Sequence, residues 1–221
     1  TVLRADTKPN EISALATSQS FLTDIESLPD DLDLDKTRNP DPKADYTTKP
    51  QLFSISGNDL VPASSLADTQ VVRVDLYQKN VAYKLTAGQD GNLTQFQDFD
   101  LNLPIMYPHP PYSTMNFLVA SGDSANEVVS AIYNHQIVNL TPEKEATYPI
   151  KTAQEAFDEL KAGKGYIASY KTLNNQVIVN SVYLAYFLGD TKQTYLMPVV
   201  VFEGENGFFG YVSAIKDEAL Q

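Results

Sequence analysis

The chain has 221 residues, 43% of them hydrophobic, with 28 acidic and 16 basic side chains, a net charge of −12 and no cysteine. That length admits one large domain or two small ones, and the apolar fraction is enough for a packed core. The charge disfavours phosphate backbones and anionic headgroups as partners. The missing cysteine excludes disulfides, thiolate chemistry and cysteine-ligated zinc.

Residues 9–28 read as a helix. Ala14, Ser18, Phe21, Leu22, Ile25 and Leu28 recur at three- and four-residue spacing, Pro9 suits the first turn and Pro29 marks the stop. Residues 29–50 change character, with Asp30, Asp31, Asp33, Asp35, Asp41 and Asp45 among Pro40, Pro42 and Pro50. This is a polar, extended, acidic linker with little capacity for a core. Asp31-x-Asp33-x-Asp35 resembles the start of a calcium loop. Such a loop needs Gly at its sixth place and a bidentate Glu at its twelfth, where Lys36 and Pro42 stand.

Strands are expected at 51–56, 69–77 and 81–87. In the second of these Val72, Val74 and Leu76 alternate with Arg73, Asp75 and Tyr77. Residues 88–112 read as loop, ending in the run Tyr107-Pro108-His109-Pro110-Pro111-Tyr112. A strand at 115–121, a turn at 122–124 and a longer strand at 127–138 follow. Thr152 and Glu155 then form a capping box, opening a helix with Ala153, Ala156, Phe157 and Leu160 as its apolar stripe and Gly163 as its stop. Strands are expected at 165–171, 176–188, 194–203 and 208–215, joined at turns signalled by Asn174-Asn175, Gly189-Asp190 and 204–207.

Each half therefore reads as one helix followed by about four strands. The expectation is an α+β fold of antiparallel sheets, each packed by one helix, as two tandem units at 1–145 (with the acidic linker 29–50) and 146–221. The stretches Tyr183 to Leu188 and Tyr195 to Phe202 are apolar on both faces, so each face of that sheet should be covered. Pro198 cannot donate to a ladder, which places its strand at an edge or at a bulge.

Catalytic signatures are missing: there is no G-x-S-x-G, no H-E-x-x-H, no P-loop and no G-x-G-x-x-G. His109 and His135 are the two histidines, and their spacing has no metal-ligand pattern. Asp98, Asp100, Glu203 and Glu205 are the carboxylates from which a hydrolytic pair could be drawn. No cofactor is implied. The proline run presets an extended backbone flanked by tyrosine rings; as plain structure it is a rigid crossover loop. Asn92-Leu93-Thr94 and Asn139-Leu140-Thr141 match the glycosylation pattern.

Tyr148-Pro149-Ile150 followed by Thr152, Glu155-Ala156-Phe157, Leu160 and Gly163 resembles the helix opening of PepSY-like and YycH/YycI-type extracytoplasmic domains. Val182 to Tyr186, Tyr195 to Gly204 and Phe208 to Ile215 are similar to the sheet of the same group, so that the likeness spans about 146–216. The resemblance implies the outer domain of a single-pass bacterial membrane protein that contacts a protein partner, such as a sensor kinase. PepSY-type domains are also associated with protease inhibition. It offers no catalytic residue. The chain opens at Thr1, and an upstream anchor is expected.

The reading that follows is a non-enzymatic, extracytoplasmic, membrane-anchored binding or regulatory domain. Tyr107, His109, Tyr112, Tyr183, Tyr186 and Tyr195 are its candidate partner-binding residues. The alternatives are a structural cell-surface subunit with homotypic contacts and a glycan or peptide hydrolase.

Overall fold

A computed structural model describes residues 8–33, 50–85, 99–139, 141, 146–170 and 176–219. In chain order the elements are α1 (Glu11–Asp24), β1 (Leu32–Asp33), β2 (Gln51–Ser56), β3 (Asp59–Pro62), β4 (Val71–Gln78), β5 (Val81–Leu85), β6 (Phe99–Leu103), β7 (Ile105–Met106), β8 (Met115–Ser121), β9 (Asn126–Tyr133), α2 (Ala153–Lys161), β10 (Tyr166–Ser169), β11 (Val179–Phe187), β12 (Met197–Gly204) and β13 (Phe208–Ser213).

The expected α+β class is overturned. Strand makes up 42% of the structure and helix 19%, with thirteen strands in three sheets and two α-helices among the described residues. The physical reason lies in the pairing. Strands β6 and β7 form in the stretch expected as loop, β5 and β6 make a sheet of their own, and β7 joins β11 in parallel across a long chain separation. Tandem helix-plus-four-strand repeats do not describe that connectivity.

The chain divides into two compact units that interleave: unit 1 is Thr1–Gln78 with Pro111–His135, and unit 2 is Lys79–Pro110 with Gln136–Gln221. The sequence reading placed one cut, after residue 145. The observed division passes the chain between units three times, and one crossing falls inside the proline run, between Pro110 and Pro111.

Unit 1 holds the sheet β3-β2-β4-β8-β9, with β1 also paired to β4. Alternation in β4 and β8 sends Val72, Val74, Leu76, Met115, Phe117 and Val119 to one face, where they pack with Ala14, Leu15 and Leu22 of α1. Asn10 caps that helix: its side chain accepts from the N–H groups of Ile12 and Ser13 (3.0 and 2.9 Å), and Ser13 Oγ accepts from Asn10 N–H (2.9 Å). Pro9 thus precedes the cap. The helix also stops at Asp24, so the apolar stripe expected to run on through Ile25 and Leu28 leaves both exposed.

Unit 2 holds β10-β13-β12-β11-β7 and the separate β5-β6 pair. Ala156, Phe157 and Leu160 of α2 pack on Val200, Phe202, Phe208 and Val212. The expected capping box forms, with Thr152 N–H donating to Glu155 Oε2 (2.7 Å) and Glu155 N–H to Thr152 Oγ1 (3.2 Å). Gly163 closes the helix at φ 75°, while the N–H groups of Gly163 and Lys164 donate to Leu160 and Glu159 carbonyls (both 3.0 Å). At Gly165 a Cβ would stand 2.6 Å from Leu160 Cδ1, so that glycine lets the helix seat on the sheet.

The expectation for Pro198 is corrected. It lies in β12, a central strand between β13 and β11. Pro198 O accepts from Ala214 N–H (2.9 Å), and the reciprocal donor that proline lacks is replaced by Lys151 N–H, which donates to Ala214 O (2.7 Å). A neighbouring segment fills the gap that would otherwise demand an edge.

Candidate functional site

The aromatic face of unit 2 gathers several of the residues singled out from sequence. Register places Tyr183, Ala185 and Phe187 of β11 opposite Val201, Val199 and Met197 of β12, and Tyr211 of β13 opposite Val201 and Tyr166. This is the face away from α2. Tyr166, Phe187 and Tyr211 form a mutual ring cluster with centroids 5.8–6.2 Å apart. The proline run begins against this face. Tyr211 OH donates to Tyr107 O (3.0 Å), Tyr166 OH to Pro108 O (3.2 Å), and Tyr183 OH lies 3.9 Å from Met106 Sδ.

Tyrosine hydroxyls therefore hold the first carbonyls of the run. Tyr107 is only 3% exposed, so its ring is core and not recognition surface. Tyr183 and Tyr186 are half-buried, His109 is exposed, and Tyr195 is 72% exposed. Of the six candidates, Tyr112 belongs to unit 1 and the other five to unit 2.

In unit 1 the run ends on a polar network. Tyr77 OH donates to Pro111 O, and the Arg73 guanidinium lies 4.3 Å from the Tyr112 ring centroid. Arg73 Nε and Nη2 donate to the two Asp75 oxygens (2.8 and 3.0 Å), and Ser113 N–H donates to Asp75 Oδ1 (3.0 Å). Burial pulls the guanidinium's pKa down, but the bonds and charge of Asp75 outweigh it and hold it above the ordinary arginine value.

A second polar group in unit 1 was not visible in the sequence. His135, expected within a strand, lies just past β9. Its Nε2 is 2.8 Å from Asp31 Oδ1, while Gln78 Nε2 donates to Asp31 Oδ2 (2.7 Å). Tyr133 stacks on the imidazole at 6.1 Å and donates to Ser27 O (2.7 Å). Burial, then the Asp31 charge, raises the Tyr133 phenol above its ordinary value. Asp31 thus fastens β1 to the end of β4 and is occupied as a hydrogen-bond acceptor. The calcium-loop positions from Asp35 onward lie outside the described residues, as do Asn92-Leu93-Thr94, Leu140 and Asn174-Asn175. Among the described residues no group of three or more His, Asp or Glu could hold a metal ion.

Of the carboxylates considered for hydrolysis, Asp98 lies outside the described residues, Glu203 is half-buried in β12 and Glu205 is exposed in the turn before β13. The best-organised ionic group in unit 2 is Lys151. Its side chain is 6% exposed, and its Nζ meets Glu159 Oε2 at 3.0 Å and Asp217 Oδ1 at 2.9 Å. Burial lowers the ammonium's pKa, yet the bonds to Asp217 and Glu159 outweigh that and raise it above the ordinary lysine value. Lys151 in turn holds Asp217 below the usual aspartate value, and the Thr152 N–H and hydroxyl do the same for Glu155.

Carboxylates with lowered values stabilise the fold above the ordinary carboxylate range and lose that stabilisation as pH falls through the lowered value. Raised Lys151 acts at the other limit, contributing below its ordinary value and losing its contribution as pH rises through the folded one. The denaturation midpoint of unit 2 is therefore expected to hold steady near neutrality and to fall below about pH 4. Asp217→Asn should flatten that acid limb. An unchanged limb in a urea series across pH would show that the Lys151 cluster does not couple to folding.

A further feature of unit 1 is the edge strand β9. It pairs with β8 on one side and, among the described residues, ends the sheet on the other. Asn126, Val128, Ala131 and Tyr133 lie on the α1 side, opposite Ser121, Val119, Phe117 and Met115 of β8. Glu127, Ser130 and Ile132 point to the other side, and the register shift between Leu118 and Val119 leaves Val129 as a bulge. Val129 is 56% and Ile132 58% exposed. Sequence reading foresaw the strand, but nothing local told an edge from a centre. No family model, curated protein or solved structure matches this chain.

Proposed function

We propose that this chain is a non-enzymatic protein-binding module that accepts an extended partner segment along β9. The observation that carries the reading is an eight-residue edge strand with two exposed, β-branched apolar side chains. An unpaired edge supplies main-chain donors and acceptors, and its side chains supply selectivity. Most of the aromatic residues first considered for this role are engaged within unit 2, so the binding role moves to unit 1. The partner we have in mind is a bacterial membrane protein of regulatory kind, such as a sensor kinase, met on the extracytoplasmic side by a chain held through an anchor. The likeness of residues 146–216 to PepSY-like and YycI-type domains supports that setting.

Photo-crosslinking residues placed singly at Val129, Ile132 and, as a comparison in the other unit, Tyr195 test the reading in cells carrying the full-length protein. Capture of one partner chain from Val129 and Ile132, and its loss in Ile132→Asp, is expected. Ile132 is exposed, so that variant should keep its stability to within about 0.5 kcal/mol. Equal capture from Tyr195 would show that β9 is not the site. Capture of the chain itself alone would turn the reading toward a structural subunit.

A further inference from the structure

We infer that the segment received by β9 is cationic, with a Lys or Arg side chain set beside Glu127 and an apolar one beside Ile132. This rests on the strand-addition reading above and adds the chemistry of the occupant. The described part of unit 1 carries eleven acidic side chains, while Lys8 and Arg73 are its basic ones. Lys8 donates to Ala67 O, and Arg73 is held by Asp75 and Tyr112. No described cation of unit 1 therefore stands unengaged to meet an incoming carboxylate.

The acidic groups also flank the edge itself. Asp123 and Glu127 are exposed at the β8–β9 end. Helix α1 runs alongside β9, tied by Asn126 Nδ2 donating to Ser13 Oγ (2.8 Å) near its start and by Tyr133 OH donating to Ser27 O (2.7 Å) beyond its end. Its last turn has no base, and Asp24 and Glu26 lie where the helix dipole is already negative. A strand added to β9 thus enters a field of one sign from both ends.

That field selects among occupants. A second copy would bring the same acidic edge, so self-pairing sets two strands of one charge sign side by side. A chain of net charge −12 repels itself at longer range as well. A partner strand that carries a basic residue beside Glu127 and, four places along on the same face, an apolar one beside Ile132 makes favourable pairs at both.

Three synthetic Thr-rich peptides, each with one Val and, four residues away on the same face, a Lys, a Thr or a Glu, provide the test (Val/Lys, Val/Thr and Val/Glu), with binding followed through the β9 amide resonances of the whole protein. The Val/Lys peptide is expected to shift those resonances, to bind about tenfold more weakly at high salt, and to lose its advantage over Val/Thr in Glu127→Gln. The Val/Glu peptide should not bind. If Val/Thr binds as well as Val/Lys with no salt dependence, strand addition stands and the charge inference falls. If none of the three perturbs β9, the reading of the edge falls with it. If Val/Lys binds without touching β9, or is indifferent to both Glu127→Gln and Ile132→Asp, attraction to an acidic surface accounts for it and the inference is overturned. A concentration-dependent dimer paired through β9 would make a second copy the occupant.

Discussion

Phe117→Ala is expected to destabilise unit 1 by about 3–5 kcal/mol, the range for deleting a fully buried aromatic ring. Phe117 has no exposed surface, and its ring packs edge-on to Phe21 at 6.0 Å and tilted to Tyr133 at 6.5 Å. It joins α1, β8 and β9 at one point, so the cavity would open where three elements meet and cannot easily collapse. Ile132→Ala, on the outer side of the same sheet, should change stability by no more than about 0.5 kcal/mol. Hydrogen exchange at β4 and β8 amides reports both. Similar effects from the two substitutions would mean that the inner and outer faces of this sheet have been assigned wrongly.

Asp75→Ala is expected to cost unit 1 about 3 kcal/mol, near the lower end of the range for breaking a buried ion pair. The carboxylate side chain is 8% exposed and serves three donors, two from Arg73 and the Ser113 N–H. Its removal strands a half-buried guanidinium and a backbone donor together. Arg73 retains some solvent contact, which keeps the penalty from the upper end. Asp75→Asn should cost less, because the amide oxygen still accepts from Ser113. In a double-mutant cycle, Arg73→Met should partly relieve Asp75→Ala, with a coupling of about 1–3 kcal/mol. Strict additivity would mean the pair contributes nothing as a pair.

The sequence made legible what depends on local pattern. The capping box at Thr152 and Glu155, the alternation of β4 and the stop at Gly163 are short-range signals with direct physical causes, and they fall close to where they were read. The limits of α1 are less legible, because Pro9 suits a first turn while Asn10 and Ser13 make the actual cap. Pairing was not legible. Ile105 and Met106 sit beside prolines in what reads as loop, and only Tyr186 and Phe187, far along the chain, make them a strand. Pro198 was misplaced for the same reason: the donor that replaces its missing N–H comes from Lys151, which no window around Pro198 contains.

The candidate site follows the same division. A tyrosine beside prolines suggests recognition, but whether its ring is surface or core depends on what crosses over it. The hydroxyls of Tyr211 and Tyr166 settle that for the run at 107–108. Conversely, Val129 and Ile132 carry no sequence mark of their own, since a β-branched strand residue is equally at home in a buried centre. They stand out only once β9 is known to end its sheet.

The interleaving of the units also sets an order on the chain as it is synthesised. Unit 1 lacks β8 and β9 until residues 115–133 emerge, and then it can close its core with nothing further from downstream. At that moment residues 79–110 have no β11 to join, because Tyr186 and Phe187 are not yet made. They are not a free tail, however. Gln78 ends β4, and Pro111 is held by Tyr77 of that same strand, so the segment leaves and re-enters unit 1 at neighbouring points. It waits as a closed loop, with part of its chain entropy already surrendered to the finished half. When β10–β13 arrive, they meet a segment whose ends are fixed, and the second core condenses around a tether that the first has tied.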